Sequence, residues 1–176
     1  MISTDKSAVS VDAIKLKSTA VIPNNAQLPV LLYRGACDMT CHDLALFFEE
    51  LFASNQWSNG WRNGVHPYTH WHCTAHEVLG VYSGTADVQL GGEIGPTLKI
   101  EKGDVVVMPA GVAHKRLDET PELGVVGAYA DGQLPDLCIG KEAVAAALLR
   151  VEAVPLPKLD PMFAADGFTH TYWNKV

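Results

Sequence analysis

The feature that most constrains the fold is the stretch from 60 to 131, where short β-prone segments are cut at close intervals by turn dipeptides. Asn59-Gly60, Asn63-Gly64, Ser83-Gly84, Gly91-Gly92, Gly95-Pro96, Lys102-Gly103, Ala110-Gly111 and Asp131-Gly132 supply the punctuation. Strands separated by such turns every 8–12 residues or so argue for an antiparallel sandwich or barrel rather than a βαβ fold. A chain of 176 residues suits one domain with a sizeable core. The expected fold is therefore all-β, a single domain over 1–176 with its barrel core at about 60–131.

Helical additions are expected on both sides. Leu44, Phe47, Phe48, Leu51 and Phe52 recur at i, i+3, i+4, i+7 and i+8, one apolar stripe that a helix would bury. Thr40 with Asp43 resembles a capping box, which places this helix at 41–54. Upstream, 14–33 is β-like but split by Pro23-Asn24-Asn25 and Pro29, and the first dozen residues read as a loose arm. A second helix is expected at 141–152, ending before Pro155 and Pro157, followed by an irregular tail.

Charge and composition remove several function classes. Thirteen Lys and Arg against 20 Asp and Glu give a formal charge of −7, so no basic stripe exists to displace counterions from nucleic acid. No apolar run approaches the ~20 residues that span a bilayer, and the opening Met1-Ile2-Ser3-Thr4-Asp5-Lys6 does not read as a signal peptide. The expectation is a cytoplasmic protein with neither nucleic-acid nor membrane partners. Cysteines 37, 41, 73 and 138 are too few and scattered for a disulfide framework, and Cys37-x3-Cys41 reads as reduced thiols packed near a helix start.

Four of the seven histidines fall between 66 and 76, and that clustering is the first functional signal. In an extended segment, residues i and i+2 face the same way about 6.6–7 Å apart. His66, Tyr68, His70 and His72 would then share a face, and two imidazoles at this separation can lean onto one ion. The wider spacing is G64-x5-H70-x-H72-x4-E77-x6-G84, then 18 residues, then G103-x5-P109-x-G111-x2-H114. These positions match the two sequence motifs of the cupin superfamily at every glycine, histidine, glutamate and proline. Beyond the motifs, HEVLGVYSG, GDVVVMPAGVAHKRL and the tail PMFAADGFTHTYW resemble a small group of single-domain bacterial cupins that share no one settled activity. One departure is Asp118, where the second motif often ends in Asn.

The resemblance implies a double-stranded β-helix, the jelly-roll barrel, with a metal in its mouth held by His70, His72, Glu77 and His114. Three neutral imidazoles and a carboxylate suit one divalent transition metal, Fe, Mn, Ni, Zn or Cu, and disfavour Ca and Mg. His66 and Tyr68 share the parity of His70 and could support the ligands, while His76 beside Glu77 reads as structural or surface. Arg116 has the parity of His114; it either points inward to meet an anionic ligand or pairs at the rim with Asp118 or Glu119. Trp71 has the outward parity and is expected under the N-terminal helix or at a subunit interface. Arg116 and Tyr68 are the candidate catalytic residues. The expected activity is that of a metal enzyme on a small organic acid or similar compound, with oxygenase chemistry ahead of isomerase or lyase chemistry. The alternative is a small-molecule binding or sensing module without turnover. A homodimer paired through barrel faces, with 14–33 as a swapped arm, is the expected assembly.

Overall fold

A computed structural model describes residues 5–37 and 40–173; the first four residues of the expected arm and the last three of the tail lie outside them. Nine strands and three short helices occur among these residues, in the order β1 (Ser10–Ile14), β2 (Val30–Arg34), α1 (Leu44–Ser54), β3 (Trp57–Asn63), β4 (Glu77–Ser83), β5 (Thr85–Leu90), β6 (Thr97–Glu101), β7 (Val105–Met108), β8 (His114–Glu119), β9 (Gly124–Ala130), α2 (Val144–Ala153) and α3 (Phe168–Tyr172). Six strands form one antiparallel sheet, β1-β2-β7-β4-β9-β3, and three form a second, β6-β5-β8. The two sheets make an all-β, double-stranded β-helix. No helix among the described residues is long and apolar enough to cross a membrane.

The sequence texture of each sheet follows from what covers it. β5 and β6 alternate buried with exposed residues, so the small sheet has one face in the core and one in water. β2, β7 and β9 read as almost continuous apolar runs and are buried on both faces. Their inner side chains, with Leu79, Val81, Val88, Leu90 and Ile100, fill the barrel. Their outer side chains meet Phe48, Phe52 and Trp57 under α1. Gly80 in β4 permits that contact, because a Cβ there would come within 2.7–2.9 Å of the Phe48 ring.

Several expectations need correction. Residues 5–12 are not a loose arm: residues 6–8 form a 3-10 turn, and β1 pairs in register with β2, Ser10 opposite Arg34 through Ile14 opposite Val30. Within the single chain, β2 lies between β1 and β7 of the large sheet. α1 begins at Leu44, not at 41, because Asp43 is its N-cap, accepting the Leu46 N–H at 3.0 Å. α2 likewise starts later, at Val144. The tail is tied down by Asp160, which is fully buried: its Oδ1 accepts the N–H groups of Met162 and Phe163, and its Oδ2 accepts the Tyr33 hydroxyl and the Thr169 N–H. The Trp173 indole donates to the Pro29 carbonyl.

Candidate metal centre

Residues 64–76 do not form the regular strand that alternation suggests. Pro67 has no N–H to donate, and the backbone divides its bonds between two neighbours. On one side His70 pairs with His114, and His66 O accepts the Arg116 N–H at 2.9 Å. On the other, Trp71 and Cys138 exchange hydrogen bonds of 3.0 Å in each direction. The alternation survives this irregularity. His70 and His72 emerge on the side of His114, with ring centroids 4.1 Å apart for His70–His114 and 6.0 Å for His72–His114. One ring nitrogen from each of the three lies within 4.8 Å of the others.

Glu77 closes the set from the first position of β4. Its Oε2 stands 3.6 Å from His72 Nε2 and 3.5 Å from His114 Nε2, is buried, and has no hydrogen-bond partner. An unpaired carboxylate oxygen inside a protein is costly, so this atom asks for a cation. The tautomers agree. His70 Nδ1 donates to the Tyr68 carbonyl at 3.0 Å, His114 Nδ1 to Val112 at 3.1 Å, and His72 Nδ1 to Asp136. With each Nδ1 holding its proton on a backbone carbonyl, each Nε2 keeps a free lone pair. Burial holds His70 down at about 4 and His114 well below the ordinary histidine range, so both imidazoles are neutral at pH 7. Burial also raises Glu77, against the lowering influence of His72 and of the Tyr129 hydroxyl that donates to it. These residues therefore fit a divalent transition metal as a set of three nitrogens and one oxygen.

A cavity of about 250 Å³ opens over the four donors, walled further by Trp61, Asn63, His66, Leu79 and Tyr129. Tyr129 and Trp61 did not stand out in the sequence. Tyr129 faces Glu77 across the β4–β9 register, and its hydroxyl accepts the Trp61 indole N–H at 3.0 Å. The available signal was a lone hydroxyl in an otherwise apolar strand, GVVGAYA. Gly127 makes room for Trp61, since a Cβ there would lie 2.2 Å from the indole.

The two residues expected to orient a substrate are not in the cavity wall. Arg116 takes its rim alternative: opposite Val88 it keeps the parity of His114, but its guanidinium is paired with Glu119. Tyr68 is 42% exposed and stacks on His66 at 4.8 Å; its carbonyl, rather than its hydroxyl, serves the centre by holding His70. His76 is structural. It is 1% exposed, accepts the Ala110 N–H at Nδ1 (2.9 Å) and donates from Nε2 to Pro155 (3.1 Å). Trp71 packs with Ala147, Val151 and Val154 of the α2 region instead of under α1. Asp118 is exposed, opposite Asp87 on the outer sheet, and away from the donors. His42 and His170 are exposed.

No family model matches the chain. It is 38% identical over 142 residues to the uncharacterised protein YjlB of Bacillus subtilis, an alignment covering 80% of this chain and 83% of YjlB. With the two motifs seated on the two sheets of the barrel, the assignment follows. The chain belongs to the cupin superfamily, in the family of YjlB. Among solved structures, this cupin is similar to a DUF861-family protein of Thermotoga maritima (26% identity, 46% of this chain and 83% of that one, TM-score 0.31). It is also similar to a conserved Klebsiella pneumoniae protein with a double-stranded β-helix domain (12% identity, 80% and 91%, TM-score 0.36).

Proposed function

We propose that this cupin binds one divalent transition metal (Fe, Mn, Ni, Zn or Cu) through His70, His72, Glu77 and His114, and acts on a small organic acid or similar compound. The observation that carries the reading is the three-histidine cluster, its ring nitrogens within 4.8 Å of one another, with one buried, unpartnered Glu77 oxygen 3.5–3.6 Å from the Nε2 atoms of His114 and His72. When bound, such a metal supplies Lewis-acid or redox chemistry; oxygenase-type reactions rank first and isomerase or lyase reactions second. The chain's own residues do the remaining work. Backbone carbonyls of Tyr68, Val112 and Asp136 fix the three imidazoles before any ligand arrives. Three neutral imidazoles and one carboxylate leave a divalent ion with one net positive charge, which favours a monoanion in the cavity. About 250 Å³ limits that ligand to a small molecule. The Tyr129 hydroxyl, steadied by Trp61, holds Glu77 and borders the space a ligand would take.

Single alanine substitutions with metal content by elemental analysis test the ligand set. Loss of metal is expected in His70→Ala, His72→Ala, Glu77→Ala and His114→Ala, with retention in His76→Ala. Full retention in His72→Ala or His114→Ala overturns it. Turnover is tested on a carboxylic-acid panel with dioxygen uptake; a metal-loaded protein inert to the whole panel is a binding module instead.

A further inference from the structure

Next to the histidine centre lies a second cluster that the proposed activity does not use. Cys73, Asp136 and Cys138 bring their donor atoms within 4.8 Å of one another, and the two sulfurs are 3.7 Å apart. The arrangement does not suit a cation. Asp136 Oδ1 already accepts the N–H of Cys73 at 2.7 Å and the N–H and hydroxyl of Thr74. Asp136 Oδ2 holds the Arg150 guanidinium at 2.6 Å, and the same guanidinium reaches Cys138 Sγ at 3.8 Å. A fixed positive charge at that distance repels a metal ion. The two thiols are left facing each other. Cys73 is fully buried, while Cys138 is partly exposed and so is the sulfur that a reagent meets first.

The cluster is tied to the metal centre by one hydrogen bond. Cys73 follows His72, and the residue whose carbonyl holds His72 Nδ1 is Asp136, two positions before Cys138. We propose that Cys73 and Cys138 are a dithiol–disulfide pair, closed by a small disulfide oxidant, whose closure displaces the Asp136 carbonyl from His72 and loosens the metal centre. The step balances by thiol–disulfide exchange. The Cys138 thiolate attacks one sulfur of the oxidant and expels the first thiol; the Cys73 thiolate then attacks Cys138 Sγ and expels the second. The pair loses two electrons and two protons, and the oxidant becomes two thiols. Bonding needs the sulfurs to move from 3.7 Å to about 2.05 Å, and the 136–138 segment is drawn with them. The effect on the metal rests on His72 being a ligand; formation of the disulfide does not.

The experiment treats the full chain with oxidised glutathione, caps remaining thiols, maps unreduced peptides by mass, and measures Mn(II) binding by electron paramagnetic resonance. A Cys73–Cys138 cross-link lighter by two hydrogens is expected, with Mn(II) affinity reduced about 10–100-fold, the usual cost of losing a group that orients a ligand. Cys138→Ser and Cys138→Ala should bind Mn(II) equally with and without oxidant. Capture of glutathione on Cys138 while Cys73 stays free to be capped overturns the pair. Cross-linked protein that binds Mn(II) as tightly as reduced protein overturns the coupling. Reduced protein that binds no Mn(II) overturns the ligand set, a failure the peptide map does not share.

Discussion

Glu77→Gln separates a metal ligand from a structural carboxylate by the sign of its effect. In the metal-free protein Glu77 Oε2 is buried and unpartnered, 3.5–3.6 Å from two histidine Nε2 atoms. A glutamine keeps an oxygen to accept the Tyr129 hydroxyl and turns an N–H toward one of those lone pairs. An unpaired buried polar group costs about 1–3 kcal/mol, so the metal-free variant should be more stable than wild type by about 2 kcal/mol. At 2–4 °C per kcal/mol for a chain of this size, that is a Tm higher by roughly 6 °C. Metal reverses the advantage. At a Mn(II) concentration of ~1,000 times the wild-type Kd, binding stabilises wild type by about 4.1 kcal/mol. A site weakened ~100-fold gains only about 1.4 kcal/mol under the same conditions. Differential scanning fluorimetry after chelation and after Mn(II) addition reads both quantities. A metal-free Glu77→Gln protein less stable than wild type, or an equal metal-induced shift in both proteins, would refute the reasoning.

Three further outcomes are expected. Asp160→Ala removes the acceptor of four donors, three of them buried: Tyr33 Oη and the N–H groups of Met162 and Thr169, with the partly buried Phe163 N–H. It should cost about 4 kcal/mol in urea unfolding, and a loss under ~1 kcal/mol would contradict the anchoring role. Gly80→Ala drives a Cβ to 2.7 Å from the Phe48 ring, so a loss of about 1–3 kcal/mol is expected, with recovery when Phe48→Leu is added. Light scattering at micromolar concentration should give a homodimer, and a monomer would rule that assembly out.

The barrel was legible because turn chemistry is local. Glycines such as Gly84 and Gly103, both at positive φ, end one strand and start the next, here carrying the chain between the two sheets, and alternation in β5 and β6 marks a face in water. The histidine cluster was legible for a related reason: a rigid ladder converts spacing into direction, so His70, His72 and His114 converge even though 64–76 is not a regular strand, with Glu77 against two of them. Signals that depend on distant neighbours could not be read in this way. Thr40 with Asp43 looked like a capping box that starts the helix at 41, and only the docked helix makes Asp43 itself the N-cap. Parity placed Arg116 on the face of His114, but its long side chain ends on Glu119, an ion pair that parity does not report.

The sequence by itself determined a β-barrel class and the four candidate donors, since both follow from short-range spacing along strands and turns. Only the tertiary structure decided that β1 and β2 complete the large sheet, that Trp71 packs beneath α2, that Tyr129 joins Glu77, and that Cys73 meets Cys138. Each of those is a contact between segments far apart in the chain. Its partner is chosen by which apolar faces must be buried together, a choice that no local window of residues contains.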